Sequence, residues 1–197
     1  MKNSFINLED INLTKQDKRI FTNFSLSIPF GEKINIFGKN GAGKTSLLKI
    51  ISGITSPSSG KVLIDINMTI NHDIFYIGHK YGLKNELSVS DNLRCILKFN
   101  QKAEAINHIL EELNYYDMQD KLHNKVKYLS HGQKKIISLV QLPLLRNKIW
   151  LLDEPFTGLD QNIVDKLINK IDKHTSCGGT VIITSHNEKK QFTNIEL

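Results

Sequence analysis

Residues 33–45 read KINIFGKNGAGKT, a short apolar strand pattern that breaks into a glycine-rich loop. Ile34 to Phe37 predicts a strand, and the run from Thr45 to Ser52 predicts a helix. Between them, Gly38-Lys39-Asn40-Gly41-Ala42-Gly43-Lys44-Thr45 fits G-x-x-x-x-G-K-[ST] in the context that motif requires, after a strand and before a helix. The glycines let successive backbone N–H groups turn toward one centre, which makes an anion nest. The helix beginning near Lys44 adds its positive N-terminal end, with Ser46 in its first turn. Gly38, Asn40, Gly41, Ala42, Gly43, Lys44, Thr45 and Ser46 are therefore the expected nucleotide-phosphate site. Lys44 is expected to reach the β- and γ-phosphates and the Thr45 hydroxyl to bind Mg²⁺, with ATP the implied ligand. The plainer alternative, a glycine turn that binds nothing, does not account for the flanking strand and helix.

Working outward, apolar runs alternate with helical patterns, which predicts an α/β chain with a largely parallel sheet. Strands are expected at Phe5–Leu8, Phe24–Ile28, Lys61–Ile64, Ile74–Ile77, Ile149–Leu152 and Thr180–Thr184. Helices are expected at Asp91–Phe99, Ala103–Leu113, His131–Leu142 and Asn162–His174. Pro143 is expected to end or kink the helix before it. The reading is one domain over 1–197. Residues 1–84 and 147–197 form the nucleotide-binding core, and 85–146 form an inserted helical subdomain.

The run Ile149-Trp150-Leu151-Leu152 predicts a strand buried on both faces, and it ends in Asp153-Glu154. Two acids at that edge can divide the work: Asp153 holds the metal, while Glu154 orients and deprotonates water. Alone, the pair could equally cap the next helix.

The 197 residues carry a net charge of +6, which suits a phosphate-rich ligand, an anionic membrane surface or a nucleic acid and does not choose among them. The basic residues are scattered, with only pairs such as Lys134-Lys135 and Lys189-Lys190. Two distant cysteines, Cys95 and Cys177, argue against a disulfide framework or a zinc site and for a reducing compartment. The N-terminal residues lack the apolar run of a signal peptide, and no stretch nears the ~18 apolar residues of a membrane span. Work at a membrane would require a partner to hold the chain there.

Further motifs resemble those of ATP-binding cassette (ABC) ATPases. Leu129-Ser130-His131-Gly132-Gln133 resembles the LSGGQ signature, and Gln133 lies 20 residues before Asp153. Asp153-Glu154-Pro155 resembles the Walker B end, Gly158-Leu159-Asp160 the D-loop, and Ile182 to His186 the strand carrying the switch histidine. The resemblance implies a P-loop NTPase core with an N-terminal antiparallel β subdomain and an inserted α-helical subdomain. It also implies a head-to-tail homodimer, in which the signature of one cassette faces the P-loop of the other. Ser130, Gly132, Gln133 and Asp160 would contact nucleotide across that interface, and His186 would contact the γ-phosphate and attacking water.

The stretch Phe75 to Leu87, FYIGHKYGLKNEL, looks like the heme-exporter ATP-binding subunits of cytochrome c biogenesis, the CcmA family. Trp150 before Leu-Leu-Asp-Glu-Pro-Phe fits that family too. The branch implies integral membrane partner subunits and a peripheral place on the cytoplasmic face of a bacterial inner membrane, or the equivalent organelle face. The loop His79–Leu87 would receive the membrane partner. No nucleic-acid partner is expected, since soluble relatives that act on nucleic acid or ribosomes carry paired cassettes or long insertions. The alternatives are an ABC ATPase subunit for another cargo, or a soluble non-transport ABC ATPase acting on nucleic acid or ribosomes. The chain departs from the pattern at three places. His79 stands for the linking glutamine, His131 for a signature glycine, and Lys15 where many relatives stack adenine on an aromatic, with Phe21 near by.

Overall fold

The computed structural model describes residues 4–65, 68–102 and 106–197. Two β-strands open the chain, β1 (Ser4–Lys15) and β2 (Lys18–Pro29). They pair antiparallel through a two-residue turn in which Gln16 and Asp17 have φ of 46° and 60°. Left-handed conformation at both central residues is the turn geometry whose twist matches a hairpin. β1 runs far beyond the four residues that alternation predicts. Ile6 and Leu8 are buried, and so are Ile11 and Leu13, an odd step that reverses the inward parity. A bulge absorbs that step: the register shifts between Leu8 and Ile11, and Asp10 has φ 48°.

β4 (Ser59–Ile64) pairs antiparallel with the other edge of β1, giving the order β2-β1-β4. The second sheet is parallel. It contains β3 (Lys33–Phe37), β5 (Ile74–Ile77), β6 (Ile149–Leu152), β7 (Thr180–Ser185) and β8 (Thr193–Glu196), in the order β5-β6-β7-β3-β8. β6 and β7 are buried at every position, β6 as its unbroken apolar run requires, β7 with hydroxyl residues at both ends of its Val181–Ile183 run. Helix α1 (Lys44–Ile51) follows β3, and the short α2 (Ile70–Asp73) precedes β5. Leu47, Leu48, Ile50 and Ile51 of α1 join one core cluster with Ile6, Leu8 and Ile11 of the first sheet and Ile34, Ile36, Leu151 and Ile182 of the second. These elements form one compact unit: Met1–Gly78, Lys148–Pro155 and Lys173–Leu197.

The second unit is His79–Asn147 with Phe156–Asp172. It holds α3 (Val89–Phe99), α4 (Ile106–Tyr115), α5 (His131–Leu145) and most of α6 (Gln161–Ser176). The first residues of the expected Ala103–Leu113 helix lie outside the described residues. Ser88 caps α3 by accepting from Asp91 N at 3.0 Å. Buried Asn92 then fastens the preceding loop: its amide accepts from Lys84 N at 2.7 Å and donates to Lys84 O at 3.0 Å and Ser88 O at 2.9 Å. α5 is buried almost all round, from Lys135 to Leu142. Pro143 does not stop it. The helix runs two residues further, to Leu145, and closes on Arg146 at φ 55°. A proline this near the C-terminus costs one late backbone bond and fixes a φ the helix already has, so the final turn survives.

Candidate active site

In the first unit, Gly38, Gly41 and Gly43 take φ of 151°, 83° and 106°, and Gly43 is the N-cap of α1. The first turn of α1 carries no acidic residue, so its positive end is left for an anion. Gly43 is sterically forced as well as strained: a Cβ there would lie 2.6 Å from Ile20 Cγ2 and 2.7 Å from Phe21 Cζ. Phe21 is thus core, pressed on the P-loop and 5.4 Å from the Phe24 ring. Asn40 and Gly41 are exposed, and Ala42 N donates to Lys39 O at 3.2 Å. The buried Lys44 ammonium donates to the P-loop carbonyls of Gly38 at 2.6 Å and Lys39 at 3.1 Å. Lys15 Nζ donates to Ser46 Oγ at 3.1 Å, which brings the hairpin turn to the first turn of α1.

The acids come from the end of β6. Asp153 is buried, and the Thr45 hydroxyl lies 2.8 Å from its Oδ2 and 3.1 Å from its Oδ1. Thr184 of β7 donates to Asp153 Oδ1 at 2.7 Å and accepts from Glu154 N at 2.8 Å. One hydroxyl thus ties the two acids to the neighbouring strand. Glu154 is held at φ 50°, an unusual conformation for a residue with a long side chain. Its Oε1 lies 3.3 Å from His186 Nε2. Burial, then the charge of Asp153, push the Tyr76 phenol of β5 above its ordinary range, so Tyr76 presents a neutral hydroxyl toward the aspartate.

The oxygens at Thr45 and Asp153 fit Mg²⁺. They are hard donors beside a phosphate loop, and among the described residues no cluster of three or more His, Cys, Asp or Glu competes to cage a metal. Mg²⁺ takes few protein ligands and fills its shell from phosphates and water.

In the second unit, Ser130 caps α5 within a reciprocal capping box. Its Oγ accepts from Gln133 N at 3.2 Å, and Gln133 Oε1 accepts from Ser130 N at 2.9 Å. The box leaves the Ser130 proton and the Gln133 amide hydrogens as donors. His131 is exposed, with Nε2 3.2 Å from Tyr81 Oη. Gly132 lies close to the Gly158 carbonyl, 3.5 Å from where a Cβ would sit. Asp160 caps α6, accepting from Ile163 N at 2.9 Å. Buried Lys135 donates to Thr157 O at 2.7 Å, tying α5 to the segment that precedes α6.

Every predicted site residue is therefore placed. Lys44, Thr45, Asp153, Glu154 and His186 stand in the first unit, and Ser130, Gly132, Gln133 and Asp160 in the second. Sequence reasoning gave no role to Thr184 or Tyr76. The only available signal was their position beside a motif, a hydroxyl two residues before His186 and a tyrosine two before Gly78.

The sequence profile of the ABC transporter family matches residues 21–157. The cytochrome c biogenesis ATP-binding export protein CcmA of Histophilus somni is 38% identical over 197 residues, covering 95% of this chain and 89% of that protein. The same-named protein of Escherichia coli K12 is 35% identical over 181 residues, covering 88% and 86%. Among solved structures, an ABC transporter ATP-binding protein from Pyrococcus furiosus superposes with a TM-score of 0.84 at 28% identity and covers 98% of both chains. The family profile spans most of the chain and the CcmA proteins align along nearly all of it: the chain belongs to the ABC transporter family, as an ATP-hydrolysing subunit related to the CcmA proteins.

Proposed function

We propose that this ATPase drives a membrane transporter of cytochrome c biogenesis, moving heme or releasing it from a heme-handling partner. It works as a head-to-tail homodimer at the cytoplasmic face of a bacterial inner membrane, or the matching face of an organelle membrane. The observation that carries the catalytic part is the linked set Thr45–Asp153–Thr184–Glu154–His186 beside the P-loop.

The nest from Gly38 to Ser46 cradles the phosphates, and Lys44 exchanges its loop carbonyls for phosphate oxygens. Thr45 and Asp153 hold Mg²⁺, which when bound neutralises charge on the phosphates. Glu154 accepts a proton from the attacking water, and His186 orients that water and the γ-phosphate. Ser130, Gly132 and Gln133 offer donors from the N-terminus of α5 to the nucleotide of the second copy, and Asp160 lines the same interface. Membrane subunits engage the His79–Leu87 loop, which Asn92 holds to α3. Among the described residues no helix is long and apolar enough to cross a membrane. The relatives' names support the cytochrome c branch.

Phosphate release by the purified protein tests the chemistry. Glu154→Gln should slow turnover by about 10²- to 10⁴-fold with ATP binding retained, and equal rates would remove Glu154 from the mechanism. Affinity purification from native membranes tests the branch. Cytochrome c biogenesis membrane proteins should co-purify, and recovery of unrelated permeases instead would refute it.

A further inference from the structure

Asn35 is an amide where the β3 pattern calls for an aliphatic residue. It is fully buried, in the strand that leads into the P-loop and between β7 and β8. An interior amide is costly unless its bonds are made, and here they are. Asn35 Nδ2 donates to Asn194 Oδ1 at 2.7 Å and to the Asn187 carbonyl at 3.0 Å. Its Oδ1 is 2.8 Å from Ser185 Oγ, which also lies 2.5 Å from Asn187 O. Asn194 of β8 completes the set. Its Oδ1 accepts from Lys189 N at 2.9 Å, and its Nδ2 donates to Lys189 O at 3.1 Å and Phe192 O at 3.0 Å.

These bonds converge on one loop, residues 186–192, which joins β7 to β8 and begins with His186. The residues on both sides of His186 are held by Asn35, through the Ser185 side chain and the Asn187 carbonyl. The far part of the loop is held by Asn194. His186 itself is half exposed, and its Nε2 meets Glu154 Oε1 at 3.3 Å.

We propose that Asn35 and Asn194 are positioning residues for ATP hydrolysis. This buried amide pair locks the 186–192 loop to the P-loop strand and so sets His186 against Glu154. The inference rests on the reading of His186 as a catalytic group. Asn35 is fully buried, and neither amide belongs to the expected nucleotide-contacting residues, so loss of the pair should act on turnover and spare binding. Displacing a catalytic group by about 1 Å can cost on the order of 10²-fold in rate.

The test is a double-mutant cycle on the full-length protein, with single-turnover phosphate release, ATP affinity and thermal stability read together. Asn194→Ala should lower the hydrolysis rate by about 10- to 100-fold, with ATP affinity changed less than about threefold. In a His186→Ala background the same substitution should have no further effect, because residues that act as one unit are not additive. Ser185→Ala, which cuts the link to Asn35 with one small atom removed, follows the same criteria and replaces Asn194→Ala if that variant does not fold. An equal loss in both backgrounds, or no loss in the parent, overturns the proposal while leaving His186 catalytic. If His186→Ala alone hydrolyses at the parent rate, the catalytic reading of His186 falls first and this inference with it.

Discussion

At the scale of single residues, Thr184 is the hinge of the acidic edge. Its hydroxyl serves Asp153 and the Glu154 amide at once, and it is wholly buried. Thr184→Val keeps the shape and removes both bonds. It should cost about 1–3 kcal/mol of stability, from a buried amide left unpaired, and, on the proposed role of Asp153 at the metal, lower hydrolysis about 10- to 100-fold. Melting curves and phosphate release check the two parts separately. The sequence announced Asp153 and Glu154 because two acids after an apolar strand form a local pattern. Thr184 is 31 residues from Asp153 along the chain, and nothing local marks its reach across the sheet. The conformation of Glu154 is equally illegible, since its amide is held by the Thr184 hydroxyl, 30 residues away along the chain.

At the scale of elements, β1 shows where periodicity breaks down. Alternation identified its first half and stopped at Glu9-Asp10, where the bulge turns the parity over. The hairpin turn carries no sequence signal, because Gln16-Asp17 is not one of the glycine-containing pairs that announce it. Gly60 is the partner of the bulge. It has φ 95°, and a Cβ there would lie 2.4 Å from the Asp10 carbonyl oxygen and 2.6 Å from that of Glu9. Backbone cannot yield as a side-chain tip can. Gly60→Ala should therefore destabilise by about 2–3 kcal/mol, seen as a fall in Tm of roughly 5–10 °C. By contrast β6, β7 and the P-loop were legible almost to the residue, because burial on both faces and a glycine-dependent loop leave few alternative sequences.

At the scale of the whole molecule, the predicted site residues fall into two groups carried by two compact units. The proposed head-to-tail dimer gives Glu154→Gln a second readout. With Mg²⁺ and ATP the variant should accumulate as a dimer in light scattering, and EDTA should return it to monomer. A global pH effect comes from His174, whose ring stacks on Trp150 at 3.8 Å and 8° and lies 3.1 Å from the Lys148 carbonyl. Burial lowers its pKa, against the smaller opposing pull of that carbonyl. The unfolded chain therefore binds a proton that the folded chain refuses. Stability should rise with pH through a window ending near the ordinary histidine value of about 6.5, and be lost as pH falls below it. His174→Phe retains the stack and removes the proton, so Tm between pH 5 and 7 should vary less in the variant than in the parent.

The left-handed backbone at Glu154 has an evolutionary consequence. Glycine or asparagine would sit there at less cost, relieving about 1–3 kcal/mol of local strain. A lineage that stopped needing turnover would thus find silent, more stable cassettes one substitution downhill at the position proposed to activate the attacking water. In the proposed mechanism, the acid withstands that slope only while turnover is under selection.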